Sequence, residues 1–194
     1  MPSCLSENLL VKVAFFIFIT LNLLWILVCD IMTNMNNTLE RMKNVLSFKT
    51  NNADETEELG LRIGKSLKGG EVIAMEGDLG AGKTTMTKSL AKGLGIDEHV
   101  TSPTFTIVNE YEGRLKLFHF DVYRIGDIEE MYDLGFEEYI YSGGVCIIEW
   151  SNLIEEILPA DRINIEILYL DEGKREVIIS GSGEKFDNLI EGLS

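Results

Sequence analysis

The sequence predicts an α/β fold: a mixed sheet of the P-loop type, flanked by helices and closed near its C-terminal end by an antiparallel hairpin. Three observations carry that expectation. From Val45 onward, short β-type runs alternate with helix-period patterns. One apolar run, EVIAME at 71–76, passes directly into a glycine-rich loop and then a helical pattern. Near the end, Ile163–Leu170 and Glu176–Ser180 alternate in polarity on either side of Asp171-Glu172-Gly173, as hairpin strands do.

The elements follow in order. Val45–Lys49 reads as a short strand. Asn51-Asn52 supplies an N-cap, and Asp54, Glu55, Glu57 and Glu58 crowd the next turn, where a helix dipole favours acids. Leu59, Ile63 and Leu67 repeat at four-residue spacing until Gly69-Gly70 ends the helix. Glu71–Glu76 is the next strand and Thr84–Leu94 the next helix, closed by Gly95. Phe105–Val108 and Leu115–Val122 read as strands around Glu112-Gly113, and Ile128–Tyr141 as one helix spaced by Met131, Leu134 and Tyr139. Val145–Trp150 is an almost unbroken apolar run, the mark of a strand covered on both faces. Asn152–Leu158 is a short helix stopped by Pro159, and Glu184–Leu193 is a terminal helix.

Charge divides the chain unevenly. Of 32 acidic and 17 basic residues, the first 45 positions hold three of each, so the whole net charge of −15 lies beyond them. With 45% hydrophobic residues, the composition excludes a disordered chain, a collagen-like repeat and a disulfide scaffold. The acidic excess argues against a protein that grips nucleic acid by itself, because phosphate contacts need clustered Lys and Arg. Cys4, Cys29 and Cys146 are odd in number and lack metal-ligand spacing, which predicts free thiols in a reducing, cytoplasmic setting.

The chain therefore reads as an apolar N-terminal extension, 1–44, and one domain, 45–194. Within the extension, Val13–Cys29 runs 17 residues without a charge, close to the lower limit for a membrane-crossing helix. A membrane anchor is one reading of it. A cleaved secretory signal is another, though the leading segment is nearly uncharged and no A-x-A-like site follows. The expectation is a third: translation starts at Met32, Met35 or Met42, and the extension is not part of the working protein.

Gly77-Asp78-Leu79-Gly80-Ala81-Gly82-Lys83-Thr84 fits G-x-x-x-x-G-K-[ST]. The bare pattern is only moderately specific. The apolar strand before it and the helix after it are the context that the chemistry requires. Gly80 and Gly82 remove side chains so that backbone N–H groups can wrap phosphates; Lys83 neutralises β/γ charge, and the Thr84 hydroxyl suits Mg²⁺. A glycine-rich turn without a ligand would give no reason for Lys and Thr to follow Gly82. Such a loop needs a second acid for the metal, and two candidates end apolar strands. Glu149 closes VCIIE, its plain alternative being a strand-end acid facing solvent. Asp121 lies in HFDVYR at 119–124, its alternative being a local pair with Arg124. His119 beside it reads more readily as a satisfied strand histidine than as a catalytic one. Thr101-Ser102-Pro103-Thr104-Phe105-Thr106 is a hydroxyl-rich loop placed where a switch segment senses the γ-phosphate; otherwise it is an ordinary turn at Pro103.

Taken together, GDLGAGKTT at 77–85, SPTFT at 102–106, HFDVYR at 119–124 and EW at 149–150 resemble the bacterial TsaE family, formerly YjeE. The resemblance covers roughly residues 46 to 180 in matching order and spacing. It implies a small ATPase of tRNA threonylcarbamoyladenosine synthesis that binds ATP and Mg²⁺ and works with the TsaB–TsaD heterodimer. TsaD transfers the threonylcarbamoyl group to adenosine, and ATP hydrolysis by the TsaE component resets the complex, so tRNA is met only through the partners. The resemblance further implies that Gly80, Ala81, Gly82, Lys83, Thr84 and Thr85 bind ATP, with Lys83 on phosphate. Thr84 and Glu149 would hold Mg²⁺, and Asp121 would orient or activate the attacking water. Thr101, Ser102, Pro103 and Thr104 would belong to the switch loop, and Trp150 would brace the site. Thr56, and Lys174 or Arg175, lie where the family contacts the nucleotide. A small P-loop kinase of unknown acceptor is the alternative, but Arg62, Arg114, Arg124, Arg162 and Arg175 form no cluster in sequence to close over a transferred phosphoryl group.

Overall fold

The computed structural model describes residues 45–193 and, ahead of them, Trp25, Val28 and Met32. The chain divides into two units, Met1–Lys43 and Asn44–Ser194. In the first, Trp25, Val28 and Met32 are helical; the rest of the segment Val13–Cys29, and Cys4 and Cys29, lie outside the described residues. No helix among the described residues is long and apolar enough to cross a membrane.

In the second unit the strands are β1 (Val45–Thr50), β2 (Val72–Glu76), β3 (Val108–Tyr111), β4 (Leu117–Asp121), β5 (Val145–Glu149), β6 (Ile163–Asp171) and β7 (Lys174–Gly181). The helices are α1 (Ala53–Ser66), α2 (Lys83–Gly93), α3 (Glu129–Asp133), α4 (Phe136–Ile140) and α5 (Glu184–Leu193), with a 3-10 helix at Ser151–Ile157. The sheet runs β1-β7-β6-β2-β5-β4-β3. Its central strands β6, β2, β5 and β4 are parallel, and antiparallel pairs extend it at both sides. The expected mixed sheet and hairpin are both present.

Strand alternation divides the core into two layers. Ile73, Met75, Ile147, Ile165, Val177 and Ile179 face α1, α2 and α5 on one side. Ala74, Phe118, Phe120, Cys146 and Ile148 face α3, α4 and the 3-10 helix on the other. β5 is buried along its whole length, as its unbroken apolar sequence requires.

Local chemistry fixes the ends of α1. Asn52 Oδ1 accepts from Glu55 N at 2.9 Å, and Glu55 Oε2 accepts from Asn51 N at 2.8 Å, a reciprocal cap of the kind that satisfies orphan donors in pairs. At the other end, the Arg114 guanidinium donates to the carbonyls of Gly64 (2.6 Å), Leu67 (2.9 Å) and Gly93 (3.3 Å). One cation thus meets the C-terminal dipoles of both α1 and α2. The two helices touch backbone to backbone. A Cβ at Gly93 would come within 2.5 Å of the Leu61 carbonyl oxygen, and one at Gly64 would collide with the Leu90 carbonyl.

Four sequence expectations shift. The strand expected at Phe105–Val108 begins only at Val108, because Thr106 N and Ile107 N both donate to the Pro103 carbonyl (3.0 and 2.7 Å) and turn the chain there. The helix expected over Ile128–Tyr141 is two short helices, broken at Gly135, whose φ of 74° is left-handed. Glu71 lies outside β2; its carboxylate accepts from the N–H groups of Lys68 and Gly69 (2.7 and 2.8 Å) and closes the preceding turn. The segment after Trp150 is helical but winds as a 3-10 helix.

Two outcomes follow from this packing. Replacement Gly64→Ala will destabilise the fold by about 1–3 kcal/mol, because the obstacle is backbone rather than a flexible side chain; the urea midpoint measures it. Cys146 is free and buried, and burial pushes its thiol up to about 12 while Lys185 pulls the other way. At pH 8 its thiolate fraction is negligible, so peptide mapping after iodoacetamide treatment will find Cys146 labelled at least about 100-fold more slowly in native than in unfolded protein.

Candidate functional site

The parallel strands β2, β5 and β4 all end on one edge of the sheet, the edge where open α/β sheets place their ligands. In register, Asp121 on β4 lies opposite Glu149 on β5, and Met75, one residue before the end of β2, lies opposite Glu149 from the other side. The loop Gly77–Gly82 leaves β2 and enters α2 at the same edge. Gly82 precedes the helix at φ 116° and Gly80 sits at φ 79°. A Cβ at either glycine would meet no atom within 4 Å, so packing is not what demands glycine there. The backbone conformation is, because left-handed residues let the loop curl around the cleft, with Ala81 N donating to the Asp78 carbonyl at 3.0 Å.

Together these elements line a cleft of about 380 Å³. Gly80, Gly82, Lys83, Thr84 and Thr85 form one wall; Ser102, Thr104, Asp121, Glu149 and Trp150 form the other. Leu79, Tyr123 and Arg124 complete the lining and were not among the residues expected.

Lys83 folds back along its own loop. Its Nζ donates to the carbonyls of Gly77 (2.7 Å) and Asp78 (3.0 Å) and lies 3.5 Å from the centroid of the Trp150 ring. Burial pushes this ammonium below the ordinary lysine range, while the carboxylates of Glu149, Asp121 and Asp78 pull it up. Trp150 is held in turn by its N–H to the Met75 carbonyl (3.0 Å) and by the Tyr123 ring, centroid to centroid 4.8 Å.

Glu149 is only 2% exposed. Thr84 Oγ1 donates to its Oε2 at 2.9 Å; Thr87 Oγ1 (3.2 Å) and His119 Nε2 (2.8 Å) approach its Oε1. The alternative of an acid facing solvent is excluded. Thr87 was not singled out in sequence, although its i, i+3 spacing from Thr84 places both on one helix face.

Asp121 is also buried, and its Oδ2 accepts from Ser102 Oγ (2.5 Å) and Thr104 Oγ1 (2.6 Å). Its Oδ1 accepts from Tyr123 N at 3.1 Å. The local pair with Arg124 does not form; that guanidinium stacks on Phe105 instead, 4.3 Å from the ring centroid. The hydroxyl-rich loop is therefore clasped onto Asp121 through two of its side chains. Thr101 and Pro103 stay outside the cleft, Thr101 N donating to the Tyr111 hydroxyl at 3.2 Å.

The remaining expected residues lie apart from the cleft lining, Ala81 among them, buried at the base of its loop. Thr56 is buried on α1, its hydroxyl shared with Thr50 (2.7 Å) and the Asn52 carbonyl (3.1 Å). Lys174 is exposed at the start of β7. Arg175 touches the loop from behind, with Nε donating to the Ala81 carbonyl at 2.8 Å and the guanidinium stacked on Tyr169.

The donor set suits a hard divalent cation. Thr84 Oγ1 and Glu149 Oε2 are adjacent oxygens at the cleft wall, and Mg²⁺ is characteristically held by one or two protein oxygens, with phosphates and water completing the shell. Among the described residues no group of three His, Cys, Asp or Glu could hold a metal on its own.

The sequence model of the threonylcarbamoyl adenosine biosynthesis protein TsaE matches residues 50–177, a span that contains every element of this cleft. The chain belongs to the TsaE family. It is 47% identical over 150 residues to a tRNA threonylcarbamoyladenosine biosynthesis protein TsaE of Bacillus subtilis, covering 77% of this chain and 94% of that one. A Treponema pallidum TsaE is 43% identical over 128 residues, covering 66% and 95%. The crystal structure of Bacillus subtilis YdiB superposes with a TM-score of 0.68 at 42% identity, over 77% of this chain and 93% of that one. The TsaE family match ends at residue 177, within β7, and so includes Arg175.

The contact of Arg175 with the loop makes a specific expectation. Arg175→Ala removes a charge-assisted bond worth about 1.5 kcal/mol, so amide hydrogen exchange across 77–82 will speed up about tenfold while exchange in β5 is unchanged.

Proposed function

We propose that this chain is the Mg²⁺-dependent ATPase of tRNA N6-threonylcarbamoyladenosine synthesis and that it acts with the TsaB–TsaD heterodimer. One observation carries the reading: Asp121 and Glu149, paired in register at neighbouring strand ends, face a G-x-x-x-x-G-K-T loop whose Thr84 is hydrogen-bonded to Glu149. Membership of a family named for this pathway supplies the biological context.

In this reading the N–H groups of the loop and the N-terminus of α2 bind the phosphates of ATP. Lys83, now spent on two loop carbonyls, swings its ammonium onto the β/γ oxygens. Thr84 and Glu149 would hold Mg²⁺, which would supply positive charge against the phosphates. Asp121 orients the attacking water and accepts its proton. Positioning and electrostatics do most of the work in phosphoryl transfer, so this short set of side chains is sufficient. Ser102 and Thr104 couple the neighbouring loop to the same carboxylate, which lets the loop register the state of the nucleotide. The −15 charge suits a chain that presents itself to protein partners and leaves tRNA to them.

Phosphate release is the test. The chain alone will hydrolyse ATP slowly, EDTA will abolish the activity, and a competent TsaB–TsaD heterodimer will stimulate it strongly. Asp121→Ala will lower hydrolysis about 100-fold with nucleotide affinity within about threefold of wild type. Absence of any stimulation overturns the partnership, and a phosphorylated acceptor in place of free phosphate overturns the hydrolase.

A further inference from the structure

His119 is fully buried on β4 and pairs in register with Ile147 of β5. Its Nε2 lies 2.8 Å from Glu149 Oε1, and its Nδ1 has no hydrogen-bond partner among the described residues. These two facts assign the tautomer. With the proton on Nδ1, a buried N–H would go unsatisfied and a nitrogen lone pair would face a carboxylate oxygen; with the proton on Nε2, the ring donates directly to Glu149.

The other contact to Oε1 is weaker for a countable reason. Thr87 has one hydroxyl proton, and its Oγ1 lies 3.1 Å from the Lys83 carbonyl as well as 3.2 Å from Glu149 Oε1. That single donor is divided between two acceptors. His119 offers Oε1 an N–H with no competing acceptor, at the shorter distance. Thr84 meets the opposite oxygen, Oε2.

We propose that His119 is a positioning residue for the metal site: its Nε2–H anchors Glu149 Oε1 and thereby aims Oε2 at the place beside Thr84 where the cation is held. This rests on the reading of Glu149 as a metal ligand. It gives a buried histidine a role that is neither plain packing nor proton transfer. Partners that orient a metal-binding carboxylate commonly account for a 10–100-fold change in metal affinity.

The test compares side chains that keep or remove one donor. The glutamine amide nitrogen reaches about as far as Nε2 of histidine, whereas that of asparagine stops near Nδ1. Because Nδ1 makes no bond, His119→Gln loses no other hydrogen bond. The full-length chain is loaded with ADP and titrated with Mn²⁺, and binding is read from the loss of the free Mn²⁺ electron paramagnetic resonance signal. His119→Leu and His119→Asn will weaken Mn²⁺ binding about 10-fold, with metal-free ADP affinity unchanged, and His119→Gln will stay within about threefold of wild type. Thermal melting identifies any variant that does not fold; should the leucine variant fail, the asparagine and glutamine pair gives the same comparison. Wild-type Mn²⁺ affinity in the asparagine or leucine variant overturns the proposal, as does a glutamine variant as weak as either. Glu149→Gln is run in parallel. If it binds Mn²⁺ like wild type, the ligand assignment itself fails; if it is weakened while the His119 variants are not, only the positioning role fails.

Discussion

Burying a carboxylate is costly unless hydrogen bonds replace the water it gives up, and Glu149 sits at the end of the most thoroughly buried strand of the sheet. It meets that condition by drawing donors from two other elements: Thr84 and Thr87 from α2, and His119 from β4. The first turn of α2, the end of β5 and the middle of β4 are thereby fixed against one another. Lys83 and the glycine-rich loop inherit their position from that arrangement, because the loop is the only covalent path from β2 into α2. Asp121 inherits its position too, since it stands in register with Glu149.

The far end of α2 is held by different means. Gly64 and Gly93 let α1 and α2 approach at backbone distance, and Arg114, from the turn between β3 and β4, binds carbonyls at the C-terminal ends of both helices. The helix that opens at the phosphate loop is therefore constrained at both ends, by a buried acid at its N-terminus and a basic side chain at its C-terminus. The sign of each matches the helix dipole at that end. Asp121 accepts from as many donors as Glu149, but from other places: two hydroxyls of the neighbouring loop and the Tyr123 N–H just beyond its own strand, rather than a helix and a strand.

Much of the fold was legible in the sequence because its signals are local. VCIIE could only be a buried strand, the hairpin showed its alternation, and the glycine pattern was confirmed in meaning by the strand and helix around it. The candidate acids were legible for a related reason: an acid that closes an apolar run lies at a sheet edge. What could not be read required knowledge of distant neighbours. Arg124 was the plain alternative partner for Asp121 by spacing, yet it stacks on Phe105 while residues some twenty positions earlier take the carboxylate. Arg114 looked like any turn arginine. The break at Gly135 was hidden because apolar spacing on both sides continues as if the helix were whole. Thr56 and Lys174 came from resemblance alone, and the cleft lining includes neither.

Trp150 carries a consequence of another kind. It is one of two described non-glycine residues with a left-handed backbone, at φ 64°, a conformation that costs a side-chain-bearing residue about 1–3 kcal/mol. Glycine would relieve that cost but would remove the ring from Lys83. The ring also lies on the cleft wall, 3.5 Å from the Lys83 ammonium. Indole emission responds to nearby charge, so in the proposed reading a nucleotide that drew Lys83 off this ring would shift the Trp150 share of an emission that Trp25 also contributes to.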